Sequence, residues 1–413
     1  MNMIGAIILF AVLGDFLLHM TADLLNLKRL SRYLPEQFQD LYDARRYAAS
    51  QEYLRINTRF KWAVSVVDIL LFLGVWFGKG FPLIDVWVRS VSSQPVVIGL
   101  LYIGILFLLK WIVSLPFDIY STFVIEERFG FNQTTWKIFV SDMVKKALLG
   151  IAMGGVLIGL VLSFFEYAGP DAWWICWVGI AVFMLIMQLV VPTWVMPLFN
   201  KFKPLAPGKL KDAIVAYAES IHFSLQNIFV MDGSKRSRKS NAFFTGFGRY
   251  KRIVLYDTLI NNHSINELVT VLAHEMGHYI KKHVFWMLAA GIVQTGIMLY
   301  LLSFFISSPM LFETFYMETP SVYAGLVFFG LLYAPVDFFM GIMMQFFSRR
   351  NEFAADRFAT ETTSDPASFA LALKKLAVHN LSNLTPHPLY VFLNYSHPPV
   401  LERIEAISGA SLR

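Results

Sequence analysis

Cysteine is nearly missing from this chain: of 413 residues, only Cys176 carries a thiol. A single thiol excludes an intrachain disulfide framework. It also excludes the cysteine-rich ligand sets that structural zinc prefers. Charge is scarce too. Lys, Arg, Asp and Glu make up 15% of the residues and hydrophobic ones 56%, where a soluble domain carries about 25% charge. That deficit excludes a string of soluble domains, which the length alone would allow. The formal net charge is +6, yet the basic residues lie in the connections between apolar runs. Nucleic acid is therefore not an expected partner. Internal repeats and low-complexity tracts are absent as well.

What the chain has in quantity is long apolar segments. Seven runs, near 3–24, 61–78, 96–115, 147–167, 173–196, 284–307 and 322–345, approach the ~20 residues that a helix needs to cross the hydrocarbon core. They predict a polytopic α-helical membrane protein embedded in the lipid bilayer. The first run lacks a basic leader and a small-residue cleavage site, so it is expected to be a retained span. Lys and Arg crowd the first, third and fifth connections and the start of the tail, and they are few or absent in the second, fourth and sixth. This alternation predicts an N-terminus outside and a C-terminus in the cytosol.

Two polar segments interrupt the pattern. The expected organisation is spans one to five with their loops over 1–197, a cytosolic segment over 198–283, spans six and seven over 284–347, and a C-terminal cytosolic segment over 348–413. The two cytosolic pieces are expected to form one domain at the membrane face. Within the first, "LKDAIVAYAESI" has helical spacing, "NIFVMD" reads as a strand, and "SNAFFTG" and "KRIVLYDTL" flank "GFGRY" as a β-hairpin. Ser264 followed by Glu267 predicts a capping box that opens the next helix.

That helix carries "VLAHEMGHYIKKH", residues 271–283. Positions i and i+4 share a helical face, so His274 and His278 can present imidazole nitrogens to one ion, with Glu275 beside them to reach a water. Two histidines supply two of the three protein ligands that a catalytic zinc keeps. The alternative is a surface helix with incidental polar residues. Gly277 weakens the helix and calls for a packing or access reason. Topology leaves Glu352 as the first carboxylate on the motif's side, in "SRRNEFAADRFA", with Asp356 one turn further. Glu352 could complete the ligand set, and Asp356 could orient a ligating histidine. Spacing serves equally well for a solvated face paired with Arg349, Arg350 or Arg357. Asp15, His19, Asp23, Asp68 and Asp337 fall within or at the ends of apolar runs. Asp337 is deep enough to predict a wet cavity, whereas Asp15, Asp23 and Asp68 could equally reach headgroups. His222, His263, His283, His379 and His387 have no comparable context and read as ordinary.

Several segments occur together in one order: "FDIYSTFVIEERFGFNQTT", "PLFNKF", "GSKRSRKSNAFFTGFGRYKRIVLYDTL", "VLAHEMGHY", "SRRNEFAADRFA" and "NYSHPP". In these the chain resembles the type I CAAX prenyl proteases, integral-membrane zinc metallopeptidases related to the a-factor-processing enzyme. The shorter heat-shock membrane proteases share the histidine motif but have too few spans. The resemblance implies seven transmembrane helices around a water-filled chamber, with a gluzincin-like zinc metallopeptidase domain at its cytosolic end. It implies one Zn2+ held by His274, His278 and Glu352, with Glu275 as general base. Asp356 would stand behind the ligands, where orienting a histidine is preferred to the proton-donor role also attached to that position. Asn241, which reads as a turn residue on its own, would bond substrate backbone. His397, held stiff by the two prolines after it, would contact the substrate carbonyl.

The expected partner is a peptide or protein, prenylated at its C-terminus if the resemblance extends so far. In a bacterial inner membrane, as opposed to the ER, the work would be membrane-protein quality control. The competing class is a channel, transporter or lipid-handling protein with a structural zinc. The spare coordination position and the lack of cysteine argue against it.

Overall fold

Among the described residues, seven helices are long and apolar enough to cross a bilayer: Met3–Lys28, Ala44–Phe77, Pro95–Glu126, Trp136–Tyr167, Ala172–Phe199, His283–Phe305 and Val322–Thr363. They belong to a computed structural model that describes residues 1–31, 33–225, 227–245 and 252–410. Each expected apolar run lies largely inside one of these helices, but several helices run well beyond it. The second starts at Ala44, in a stretch rich in Arg, and the seventh continues to Thr363. Hydropathy marks the part of a helix that lipid covers. It is blind to the polar turns that extend the same helix into water.

The third, fourth and fifth spans each contain a π-helical turn, at Ser121–Glu126, Gly150–Gly154 and Val191–Val195. The connection between the sixth and seventh spans holds a short helix, Pro309–Thr314, and contributes buried Leu311, Phe312 and Phe315 to the membrane core. There Phe315 stacks on Phe328 at 4.0 Å and Trp76 donates from its indole to the Thr314 carbonyl at 2.7 Å. Aromatic rings thus tie the second span to that connection.

The first, second and seventh spans enclose a cavity of about 730 Å3 lined by Asp15, His19, Asp23, Asp68 and Asp337, among others. Lys61 and the Trp62 indole reach Asp23 at 3.5 and 2.9 Å, and Gln294 reaches Asp337 at 3.1 Å. Lys110 pairs with Asp68. All five acidic or imidazole groups singled out in the apolar runs therefore line this cavity, each with a polar partner, as intramembrane ionisable groups require.

Outside the spans lies a four-stranded sheet, β1 (Phe202–Pro204), β2 (Asn227–Met231), β3 (Ala242–Thr245) and β4 (Arg252–Tyr256), in the order β1-β2-β4-β3. β2 and β4 run parallel, and β3 lies antiparallel to β4 with Ala242 opposite Leu255. β3 and β4 pair as the expected hairpin would, although its turn at 246–250 lies outside the described residues. Its core unites both polar segments: Ile214, Ile253, Leu255, Leu272 and Met276 pack with Ala359, Phe369 and Ile407. Residues separated in sequence by the sixth and seventh spans thus share one hydrophobic core.

Candidate metal centre and active site

The motif helix, Ile265–Ile280, begins at Ser264, whose hydroxyl accepts from the Glu267 amide at 3.4 Å. The expected reciprocal half of the capping box is replaced. The Glu267 carboxylate, 3% exposed, instead takes two bonds from Lys375 Nζ at 2.8 and 2.9 Å. That buried ion pair fastens the motif helix to the helix Pro366–His379. Against its other side lies the seventh helix. A Cβ on Gly277 would meet Phe358 at 3.0 Å and the Ala355 backbone at 3.3 Å. The glycine lets the two helices approach closely, which accounts for its cost in helix propensity.

This approach brings three donors together. His274 Nε2 lies 3.4 Å from Glu352 Oε2, His278 Nε2 lies 3.2 Å from Glu352 Oε1, and the two imidazole Nε2 atoms are 3.1 Å apart. One ligand atom from each residue falls within 4.8 Å of the others, a grouping able to hold one ion. The donor set of two imidazoles and one carboxylate fits zinc. Glu352 Oε2 is buried and has no hydrogen bond of good geometry among the described residues, its neighbours being His274 Nε2 at 3.4 Å and Arg403 Nη1 at 3.7 Å. Such an acceptor is costly unless a cation satisfies it.

Behind His274, its Nδ1 stands 2.8 Å from Asp356 Oδ1. Arg403 in turn donates from Nε to Asp356 Oδ2 at 2.8 Å and from Nη2 to Oδ1 at 2.6 Å. Glu352 and Asp356 are 4% and 2% exposed, so the alternative of a solvated face is overturned. Neither carboxylate pairs with its helical neighbours among the described residues. Arg349, one of those neighbours, donates to the Tyr395 carbonyl at 2.6 Å. Burial alone would lower the His274 imidazole, but the adjacent carboxylates of Asp356 and Glu352 outweigh it and hold the group at about 9. Burial pushes the Glu275 carboxyl up, in spite of the neighbouring histidines.

His397 joins the cluster from the segment before the last helix, with Nε2 3.3 Å from Glu352 Oε1 and its side chain 63% exposed. Its Nδ1 meets Ser396 Oγ at 2.9 Å. Asn241 stands apart. It heads β3, accepts through its carbonyl from the Tyr256 amide at 3.1 Å, and turns its side-chain oxygen onto the Ala242 amide at 2.9 Å.

Two residues that the sequence did not assign to the site belong here. One is Arg403, six positions after His397 in "HPPVLER", for which the short spacing is the only signal. The other corrects an expectation. His283 is not an ordinary histidine: it is 8% exposed, and its Nδ1 lies 3.0 Å from His278 Nδ1.

Comparison with known proteins places this geometry in a lineage. Residues 23–201 match a family model described as CAAX prenyl protease N-terminal, five membrane helices, and residues 204–411 match peptidase family M48. The chain belongs to peptidase family M48. It is 33% identical to CAAX prenyl protease 1 of Saccharomyces cerevisiae over 92% of this chain and 89% of that one. It is likewise 33% identical to the CAAX prenyl protease 1 homolog of Arabidopsis thaliana over 91% and 90%. The crystal structure of S. mikatae Ste24p superposes with a TM-score of 0.93 at 31% identity, covering 98% of this chain and 99% of that one. M48 membership makes this multi-pass membrane protein a metalloendopeptidase, and the family implies a metal, typically zinc. The channel, transporter or lipid-handling reading is set aside.

Proposed function

We propose that this chain hydrolyses a peptide bond in the C-terminal CAAX segment of prenylated proteins, at a single zinc ion held by His274, His278 and Glu352. The observation that carries the zinc assignment is the convergence of those three side chains, whose ligand atoms lie within 4.8 Å of one another. The substrate class follows from the names of the relatives and from likeness over nine-tenths of the chain. The alternation of Lys and Arg among the connections supports a site facing the cytosol, with the N-terminus outside.

Bound zinc supplies Lewis acidity and makes a hydroxide-like nucleophile accessible near neutral pH. Glu275 then acts as general base. It takes a proton as the water oxygen bonds to the scissile carbonyl carbon, and it returns that proton to the amine as the C–N bond breaks. The exposed His397 faces the cluster, where its imidazole donates to the carbonyl oxygen as negative charge develops there. Asp356, braced by Arg403, holds His274 in the tautomer that leaves Nε2 free for the ion, an orienting role rather than proton donation. Asn241, at the head of edge strand β3, aligns an extended substrate by hydrogen-bonding the substrate's backbone.

The deciding experiment uses Glu275→Gln, purified in detergent and offered a farnesylated CAAX peptide. Cleavage is expected to fall by at least about 100-fold while zinc stays at one ion per chain by elemental analysis. Full activity in that variant rejects the assignment. Cleavage of unprenylated peptides at the same rate rejects the substrate class.

A further inference from the structure

Each candidate metal-binding histidine has a partner at its far nitrogen, and the two partners differ. His274 Nδ1 meets a carboxylate, Asp356 Oδ1, at 2.8 Å. His278 Nδ1 meets a second imidazole, His283 Nδ1, at 3.0 Å, while His278 Nε2 faces Glu352 and His274. We propose that His283 is a positioning residue for His278, fixing its ring and tautomer and thereby tying metal affinity to the first residue of the sixth span. Two nitrogens at that distance share one proton. His278 donates from Nδ1 to the His283 Nδ1 lone pair, which leaves the His278 Nε2 lone pair directed into the cluster.

Helical continuity would not produce this contact. At about 100° per residue, a position five residues beyond His278 lies roughly 140° around the helix from it. The motif helix instead ends at Ile280, and Lys282 takes a left-handed backbone at φ 59° before the sixth span begins at His283. A lysine seldom adopts that conformation. The turn folds His283 back onto His278, the ring centroids being 5.1 Å apart at 75°. The turn is also held by backbone bonds from Lys281 to Gly277 and from Lys282 to Tyr279, both 2.9 Å. The imidazole is 8% exposed, so water cannot readily take over its role.

The inference rests on His278 being a metal ligand, and the experiment separates the two claims. Zinc affinity is measured by chelator competition on full-length protein in detergent, for the wild type and three variants. His283→Ala and His283→Phe, the latter filling the space without an acceptor, are expected to bind zinc about 10- to 100-fold more weakly. His283→Asn, whose side-chain oxygen can stand where Nδ1 stands, is expected to recover most of that loss. Metal-free thermal stability is recorded alongside. A purely structural role would lower it in step with affinity and would give asparagine no advantage over phenylalanine. Wild-type zinc affinity in the folded Phe variant, or an Asn variant as weak as Phe, overturns the positioning role alone. Absence of zinc from the wild type would overturn the metal centre with it.

Discussion

Arg403 grips Asp356 through two parallel hydrogen bonds of 2.8 and 2.6 Å, from a helix 47 residues further along the chain. Its Nη1 also lies 3.7 Å from Glu352 Oε2. The last helix thereby reaches the carboxylates of the seventh, both of which face His274. Lysine offers a point charge in place of this planar fork. Arg403→Lys is expected to weaken zinc binding about 10- to 100-fold, read by chelator competition. Arg403→Met, which leaves Asp356 buried and without its cation, is expected to destabilise the protein by about 3–5 kcal/mol in thermal unfolding. Unchanged metal affinity in the lysine variant would show that the fork is dispensable.

Gly277 sets how near the motif helix comes to the seventh. In Gly277→Ala the new methyl would press on Phe358 at 3.0 Å and on the Ala355 backbone at 3.3 Å. Backbone cannot swing aside, so the helices are expected to part slightly. Overpacking of this kind costs about 1–3 kcal/mol, against a gain of up to about 1 kcal/mol in helix propensity. Net destabilisation with weakened zinc retention is the expected result; a more stable variant with normal zinc would refute it.

The start of β3 is clamped by an amide. Asn380 accepts from the Ser240 amide at 3.1 Å and donates to the Ser240 carbonyl at 3.2 Å, as a neighbouring strand would. By the pairing with β4, the Ser240 backbone points to the edge opposite β4, and Asn241 follows directly. Asn380→Ala is expected to loosen the strand that receives substrate, raising KM several-fold with kcat little changed. A fall confined to kcat would place Asn380 in a different role.

Acid is expected to weaken the domain through His263 and His379, whose rings lie 6.2 Å apart. Burial lowers both imidazoles, and the surrounding charges are Glu267 and Lys375 at His263 and Arg46 and Lys375 at His379. The unfolded chain binds these protons first, near pH 6.5. Stability therefore stands in full above that pH and falls as acidification proceeds through it toward the lower folded values. Melting curves at pH 7.5 and 5.5 should show the drop, and His263→Gln should reduce it. An identical slope in that variant would remove His263 as the cause.

Much of the site was legible because helices convert spacing into geometry. His274, Glu275 and His278 share one turn and a half, and Glu352 and Asp356 share another, so each group needs only local order. Whether Glu352 and Asp356 face the histidines at all was not legible from spacing. Spacing alone left Glu352 and Asp356 equally suited to bonding Arg349, Arg350 or Arg357. Arg403 and His283 escaped for opposite reasons. Arg403 arrives from a different helix, by a contact that no periodicity encodes. His283 is near in sequence but reaches His278 only through a left-handed turn at a lysine, a residue type that does not announce one.

Consecutive residues were enough to specify a membrane protein with seven apolar helices and a paired-histidine helix, because lipid solvation and helical periodicity act locally along the chain. Long-range contacts were needed to establish that the buried Glu352 meets both histidines, that Asp356 and His283 stand behind them, and that the acidic groups of the first, second and seventh spans share one cavity. These are matters of long-range packing: helices distant in the chain dock where a glycine permits it, and polar groups withdrawn from water must then find one another.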